Sequence, residues 1–271
     1  MTAPSVEPVE TPPAPRRALV AGGASGLGAA LCRALVARGD EVISGDVNPP
    51  AEPIDGVEYL TLDVRSDEDW GAAHARVLEK WGSLDLLFNN AGVAGGGRLD
   101  VAGMDEWQWI TEINLFGVVR GTRTFVPLFK AQGNGTIVNT ASLAGLVHPA
   151  GMASYNAVKA AVVALTETTA HELAEYGVKA AVVCPSYFRT PLVDNMQGSD
   201  TAVGAVIGAL VAGSPTTADE IAAAVLAGID AGDELILPDE AARAAYGLKV
   251  ADRDGYDAVM RKQAARLNAM G

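Results

Sequence analysis

The sequence predicts an α/β fold in which seven parallel strands form one doubly wound sheet with helices on both faces. From Arg17 onward, short apolar runs alternate with longer amphipathic segments, a pattern typical of successive strand–helix units. A glycine-rich turn follows the first of these runs, where such folds must turn sharply. No linker-like stretch interrupts the middle of the 271 residues, so we expect one domain.

The chain is predicted to have three parts. Residues 1–15 contain five prolines and no apolar periodicity, which predicts a flexible tail. Residues 16–238 make up the α/β domain. Residues 239–271 are expected to add a C-terminal helical extension to that domain, with a helix over 256–267.

Each predicted strand is a short apolar run bounded by turn residues. These strands cover residues 18–21, 41–46, 58–62, 84–89, 136–140, 179–184 and 234–237. Apolar residues spaced three and four apart predict the helices between them. These cover residues 27–38, 67–81, 105–130, 154–176 and 218–231. Three prolines predict that 47–56 is a loop, where a helix would ordinarily join the second and third strands.

Composition excludes several classes of function. Twenty basic against 33 acidic residues give a net charge of −13, which disfavours binding to nucleic acid and to anionic membranes. No apolar run is long enough to span a bilayer, and the N-terminus lacks an export signal, so we expect a cytoplasmic protein. Cys32 and Cys184 form neither a metal-ligand pattern nor a disulfide framework. No metal site is predicted.

The turn over residues 21–28, Ala-Gly-Gly-Ala-Ser-Gly-Leu-Gly, lies between the first strand and the first helix. Glycines there allow a phosphate group to approach the backbone amides closely. Such a turn alone is weak support, because tight loops also collect glycine. The end of the second strand adds a further signal.

Asp46 ends that strand, eighteen residues after Gly28, where a carboxylate can accept hydrogen bonds from both ribose hydroxyls of a dinucleotide. The carboxylate would repel the 2′-phosphate of NADP, and neither Ser25 nor Val47 supplies a cation to bind one. The sequence therefore predicts NAD as cofactor, with NADP less favoured. Three arginines, at 16, 17 and 65, lie elsewhere in the sequence. The loop over 47–56 predicts an open adenine side.

Tyr155 and Lys159 lie four residues apart on the helix predicted over 154–176, so both side chains share one face. A neighbouring ammonium favours the phenolate and should lower the pKa of Tyr155 from its usual value of about 10. Ser142 lies thirteen residues earlier, at a predicted strand end. Together these side chains predict an acid–base site.

In combination, these residues resemble the single-domain short-chain dehydrogenase/reductase family over about residues 17–237. The family's glycine turn is present with Ala21 in place of threonine, and its Asn-Asn-Ala-Gly strand end stands at 89–92. Ser186 departs from the Pro-Gly usual after the sixth strand. The resemblance implies a Rossmann-type fold with four catalytic residues, Asn114, Ser142, Tyr155 and Lys159.

The cofactor contacts implied by the turn, the strand ends and the resemblance include an adenine-binding Asp-Val pair and a residue that fixes the cofactor carboxamide. The residues are Gly22, Ser25, Gly26, Leu27, Gly28, Asp46, Asp63, Val64, Asn90, Ala91, Gly92, Tyr155, Lys159, Pro185, Phe188 and Thr190.

The resemblance implies an NAD-dependent alcohol dehydrogenase or ketoreductase. In that interpretation Tyr155 exchanges a proton with the substrate oxygen and Ser142 orients that oxygen. Lys159 lowers the Tyr155 pKa and holds the nicotinamide ribose, and Asn114 anchors a proton-relaying water. The alternatives are an NADPH-dependent carbonyl reductase and a non-catalytic dinucleotide-binding protein.

The expected substrate is a lipophilic secondary alcohol or its ketone, because the residues predicted to line its pocket are nearly all apolar. They are 94–97, Leu143, Ala144, Met152, Tyr187, Phe188, Leu192 and Met196. Residues 194–213 suit either a mobile lid or a plain surface helix. The extension is expected to cap this site or to reach a partner subunit.

A homotetramer, or a homodimer, is expected from a further resemblance. Four aromatic residues and the alanine-rich segment 157–174 resemble the faces through which the family associates, although core packing could explain half of them. The aromatic residues are Trp107, Trp109, Phe116 and Phe125.

Overall fold

The computed structural model describes residues 14–193 and 196–270, with the backbone alone for Val193. Of the predicted tail, residues 1–13 lie outside the described residues. Seven strands of the described chain form one sheet in the order β3-β2-β1-β4-β5-β6-β7, with every pair parallel. The strands are β1 (Arg17–Ala21), β2 (Glu41–Asp46), β3 (Val57–Thr61), β4 (Leu86–Asn89), β5 (Gly135–Thr140), β6 (Val178–Val183) and β7 (Leu235–Ile236).

Ten α-helices lie in the described ranges. They are α1 (Gly26–Ala37), α2 (Asp67–Trp81), α3 (Met104–Thr111), α4 (Gly117–Gln132), α5 (Ala144–Val147), α6 (Ala153–Leu173), α7 (Thr201–Ala212), α8 (Ala218–Ala231), α9 (Glu240–Ala251) and α10 (Arg253–Asn268). A π-helical turn, Glu112–Phe116, connects α3 to α4. Short 3₁₀ turns cover Ala174–Tyr176 and Pro191–Val193.

Local sequence explains where several helices start and end. Ser66 accepts a hydrogen bond from the Asp69 amide at 3.1 Å at the start of α2, and Gly82 ends that helix with φ of +69°. Thr217 and Glu220 exchange side-chain and backbone hydrogen bonds at the start of α8. Such caps satisfy amides that have no partner inside the helix.

The side chains of β1 alternate between the two faces of the sheet. Leu19 packs with Trp70 and Phe125 on the face covered by α2, α4 and α6. Val20 packs with Leu31 and Val225 on the opposite face, covered by α1 and α8. All six side chains are at most 1% exposed, and each contributes roughly 1.5–3 kcal/mol by its burial.

The position of the site follows from the strand order. From β1 the chain moves outward through β2 to β3 and then returns to β4, which lies on the other side of β1. Val20 is therefore flanked by Ser44 of β2 and Phe88 of β4. Loops that leave the carboxyl ends of β1 and β4 diverge, and the crevice between them is where doubly wound sheets bind ligands.

The structure confirms the predicted fold class and changes several boundaries. The single helix predicted over 105–130 is divided by the π-helical turn. The C-terminal extension contains two helices, α9 and α10. The sequence predicted a helix only in the region of α10. Residues 47–56 form turns and bends, as their prolines predict. Most of 194–213 is the helix α7, although Asp194 and Asn195 lie outside the described residues. None of the described helices has the length and apolar character needed to cross a membrane.

Candidate active site

A glycine turn joins β1 to α1 at the carboxyl edge of the sheet. Gly22 has φ of +76°, and its carbonyl oxygen accepts a hydrogen bond from Asn90 Nδ2 at 3.1 Å. A methyl group at Gly28 would overlap that same carbonyl. Glycine at both positions therefore allows α1 to start directly against the turn.

The first turn of α1 is suited to an anion. Ser25 precedes the helix, but among the described contacts its hydroxyl makes no capping hydrogen bond, and no acidic residue stands in the first turn. Amides at the start of a helix carry partial positive charge and point toward a ligand. The donors present here fit the pyrophosphate of a dinucleotide.

Asp46 lies beside this turn, at the end of β2. Its Oδ2 accepts a hydrogen bond from the Ala24 amide at 3.2 Å, and its Oδ1 accepts one from the Asn48 amide at 3.1 Å. These contacts fix the carboxylate at the rim of the cavity. A carboxylate at this place can also accept hydrogen bonds from ribose hydroxyls.

Arg65 is close to this site, although it follows Asp46 by nineteen residues in the sequence. Its guanidinium pairs with Asp63 at 2.6 Å, and both residues line the same cavity as Asp46. Hydrogen bonds from Arg65 lower the pKa of the Asp63 carboxyl. Arg16 and Arg17 instead pair with Asp40 and Asp85 at the amino ends of the strands, away from the cavity. Among the described residues that line the cavity, Arg65 is the only arginine.

One cavity of about 1070 Å³ gathers nearly all of the predicted site residues. Gly28 and Asn114 are the exceptions, since they support the cavity from behind. The predicted residues that line the cavity are Gly22, Ser25, Gly26, Leu27, Asp46, Asp63, Val64, Asn90, Ala91, Gly92, Ser142, Tyr155, Lys159, Pro185, Phe188 and Thr190.

Asn114 occupies the π-helical turn between α3 and α4 and is wholly buried. Its Oδ1 accepts a hydrogen bond from the Val93 amide at 2.8 Å, and its Nδ2 donates one to the Val93 carbonyl at 2.9 Å. The side chain thus fixes the loop that follows β4. Single π-helical turns are frequent at functional sites, and here the turn points the amide toward the cavity wall.

Tyr155 and Lys159 share one face of α6, as their spacing predicts, and both are buried. Lys159 Nζ lies 5.7 Å from the centre of the Tyr155 ring and donates a hydrogen bond to the Thr140 carbonyl at 2.9 Å. The hydroxyl of Tyr155 hydrogen-bonds to Ser142. The three side chains therefore converge on the same part of the cavity.

The pKa of Tyr155 differs from the sequence-based expectation. Burial raises it to about 12, and the hydrogen bond with Ser142 only partly opposes this rise. Burial also lowers the pKa of Lys159 to about 8. In this structure, the loss of solvation raises the pKa of Tyr155 by more than any lowering by the Lys159 ammonium.

Gly145 brings α5 against α6 at Lys159, a contact that the sequence did not reveal. A methyl group at Gly145 would lie 2.6 Å from the Lys159 carbonyl carbon. We expect Gly145→Ala to lower the free energy of unfolding by roughly 1–3 kcal/mol through overpacking, which urea denaturation measures. The substitution should also lower kcat, because it moves Lys159. Gly71→Ala is the control, since no described atom lies within 4 Å of a methyl group there. Equal stability of both variants would contradict this contact.

The cavity extends beyond the residues that the sequence predicted to line the substrate pocket. Of the predicted lining, Gly96, Gly97 and Met196 do not border it among the described walls. The missed residues come mainly from α7, α9 and α10, on helix faces with spacings of three and four. These residues are Ile207, Leu210, Val211, Ala245, Leu248, Tyr256, Val259, Met260 and Gln263. The helical spacing of the cavity-lining residues over 256–263 is visible in the sequence. The sequence does not show which element this helix face packs against.

Comparison with known proteins identifies relatives over most of the chain. The family profile described as short chain dehydrogenase matches residues 16–200. The 3-alpha-(or 20-beta)-hydroxysteroid dehydrogenase of Mycobacterium tuberculosis is 38% identical over 183 residues, which cover 65% of this chain and 70% of the relative. The trans-4-hydroxycyclohexanecarboxylate dehydrogenase of Sinomonas cyclohexanicum is 36% identical, with 66% of this chain and 75% of the relative covered.

Solved structures give the same result for the fold. A short chain dehydrogenase/reductase from Burkholderia phymatum in complex with NAD is 30% identical with a TM-score of 0.80, and the match covers 89% of this chain and 94% of the other. A short chain dehydrogenase from Burkholderia cenocepacia in complex with NADP is 27% identical with a TM-score of 0.77, and that match covers 91% and 97%. Relatives of this fold therefore bind either nicotinamide dinucleotide.

Proposed function

This chain belongs to the short-chain dehydrogenases, and on that premise we propose that it is an NAD-dependent oxidoreductase that interconverts a lipophilic secondary alcohol and its ketone. One observation carries the proposal. Tyr155, Ser142 and Lys159 converge in a largely apolar cavity that is continuous with the glycine turn. A substrate in that cavity can place its oxygen at the phenol while its body contacts apolar walls.

The residues of the chain supply proton transfer and positioning. When bound, the nicotinamide supplies the acceptor or donor of hydride. A phenol with a pKa of about 12 is protonated at neutral pH, so Tyr155 can donate its proton to a ketone oxygen. Ser142 orients that oxygen by hydrogen bonding. Lys159 then forms the inner end of a proton path to solvent, and Asn114 anchors a water molecule on that path.

Asp46 supports NAD as the preferred cofactor. We expect Asp46→Ala to lower the ratio of kcat/KM with NAD to that with NADP by roughly tenfold or more, because a buried or half-buried charge that repels one ligand discriminates strongly. The ratio is measured with one alcohol and both cofactors. Asp55→Ala, in the adjoining loop and outside the described cavity lining, is the control. If Asp46→Ala leaves the ratio of the two kcat/KM values unchanged, Asp46 does not contact the ribose of the cofactor.

Use of NADPH for carbonyl reduction is the second candidate, and Arg65 is the observation that favours it. The guanidinium lies in the cavity on the adenine side and is 52% exposed, so it could also pair with a 2′-phosphate. Asp46 opposes this use, because its carboxylate would face the same phosphate. Direct comparison of the dissociation constants for NADH and NADPH decides between the two cofactors.

The substrate class rests on the apolar cavity and on the relatives, whose names describe dehydrogenases of hydroxysteroids and of a hydroxycyclohexane carboxylate. A panel of lipophilic secondary alcohols with NAD, followed by NADH absorbance, tests the proposal. Turnover of at least one of them is expected. Tight NADH binding without turnover of any alcohol or ketone would instead indicate a non-catalytic dinucleotide-binding protein.

We further propose a cytoplasmic homotetramer, in which faces of α4 and α6 associate. The four aromatic residues cited for this association differ in the structure. Phe125 is wholly buried and Trp109 lines the cavity, whereas Phe116 is 43% exposed near the start of α4. Small exposed residues such as Ala157 and Ala164 on α6 leave room for close approach of a second subunit. Light scattering on the purified protein measures the subunit number.

A further inference from the structure

The C-terminal extension is tied to the site at the start of α9. Asp239 caps this helix by accepting a hydrogen bond from the Ala242 amide at 2.8 Å. The same carboxylate accepts hydrogen bonds from the Ser186 amide at 2.9 Å and the Ser186 hydroxyl at 2.5 Å. Ser186 stands where the family usually has Pro-Gly, and its hydroxyl joins the loop after β6 to the extension. This departure therefore has a structural role.

Two further side chains hold the extension against the segment that follows Ser142. Lys249, near the end of α9, donates a hydrogen bond to the Leu146 carbonyl and contacts His148 Nδ1 at 2.9 Å. Tyr256 of α10 donates a buried hydrogen bond to the Val147 carbonyl at 2.7 Å. The extension is thus fixed to α5 and to the residue that ends it.

The far end of α10 is fixed as well. Leu267 is buried in the cluster that contains Met152 and Tyr155. The guanidinium of Arg98 donates a hydrogen bond to the Leu267 carbonyl and also forms the ion pair with Asp200 that anchors α7. The extension therefore has fixed contacts with the loop after β6, with α5 and with Arg98, and it forms one wall of the site.

This wall and the neighbouring helix α7 present apolar side chains that the other described residues leave exposed. Leu248 of α9 and Val259 of α10 are 47% and 54% exposed, and Leu210 of α7 is 44% exposed. All three border the cavity that contains Tyr155 and Ser142. Large apolar side chains gathered around one cavity mark a surface that a ligand covers.

We propose that α9 and α10 determine substrate specificity, with Leu248 and Val259 in contact with the apolar end of a substrate whose body extends well beyond its reacting carbon. This inference rests on the proposed dehydrogenase function and narrows the substrate class to bulky apolar secondary alcohols and their ketones. We expect a small alcohol to reach Tyr155 and Ser142 without contacting Leu248 or Val259.

Two alcohols with the same reacting ring test the proposal, cyclohexanol and 4-phenylcyclohexanol. In Leu248→Asp, kcat/KM for 4-phenylcyclohexanol is expected to fall by roughly tenfold or more, because a carboxylate replaces apolar contact with the second ring. The value for cyclohexanol is expected to stay unchanged. Val250→Asp is the matched control, since Val250 is 69% exposed on the same helix and lies outside the described cavity lining. Val259→Asp should repeat the result of Leu248→Asp.

Calorimetric titration of the NADH complex with 4-phenylcyclohexanol provides a readout that does not depend on turnover. The dissociation constant should rise in Leu248→Asp and not in Val250→Asp. Equal effects of Leu248→Asp on both alcohols, or no effect on the larger one, would overturn the specificity proposal while leaving the enzyme assignment intact. Failure of the unaltered protein to oxidise either alcohol, with normal binding of the larger one, would instead count against the enzyme assignment.

Discussion

Tyr155→Phe is expected to lower kcat by roughly a hundredfold to ten-thousandfold, the usual contribution of a positioned acid or base. The phenyl ring keeps the packing of a residue that is 8% exposed, so only the group that carries the proton is lost. Affinity for NADH should stay nearly the same. The measurements are steady-state turnover and a fluorescence titration with NADH.

Tyr187→Phe is the matched control for this variant. Tyr187 lines the same cavity, its pKa is also raised by burial, and its hydroxyl contacts Met152 Sδ at 3.5 Å. If Tyr155 is the proton carrier, loss of the Tyr187 hydroxyl leaves kcat within a small factor of the original. Near-normal kcat in Tyr155→Phe, or an equal loss in both variants, would refute the assignment.

Asp200→Ala is expected to lower the free energy of unfolding by roughly 3–5 kcal/mol, the range for breaking a buried ion pair. The side chains of Arg98 and Asp200 are 15% and 1% exposed and pair at 2.7 Å. Asp200 also caps α7 by accepting a hydrogen bond from the Val203 amide, which adds about 1 kcal/mol. Urea denaturation at neutral pH measures the loss.

An exposed pair supplies the control. Arg33 and Asp219 also lie 2.7 Å apart, but their side chains are 49% and 68% exposed, so Asp219→Ala should cost less than about 1 kcal/mol. Similar costs for Asp200→Ala and Asp219→Ala would show that burial of the Asp200 pair does not stabilise α7.

The Asp200 contribution also has a defined pH dependence. Hydrogen bonds from Arg98 lower the pKa of Asp200 from 3.8 to about 2. A carboxyl whose pKa is lower in the folded protein stabilises it fully above the unfolded value and loses that effect as the pH falls. The stability difference between the original protein and Asp200→Ala should therefore narrow as the pH drops below 3.8 toward 2. A constant difference would contradict this origin.

Several structural details could not be predicted from the sequence, because they depend on packing between distant segments. The π-helical turn at Asn114 interrupts a segment whose apolar spacing is that of a continuous helix. The helix α9 is capped by Asp239, whose partner Ser186 lies 53 residues away in the sequence. Arg65 reaches the cavity because β3 pairs beside β2, which places the loop after β3 close to Asp46.

The sequence by itself determined the fold class, the glycine turn with its neighbouring carboxylate, and the shared face of Tyr155 and Lys159. These features follow from local periodicity and spacing, which act over a few residues. Only the tertiary structure decided the direction of the Tyr155 pKa and the identity of the outer cavity wall. Solvation of a phenol and contacts among α7, α9 and α10 depend on which distant segments exclude water from the site, and no local pattern specifies that.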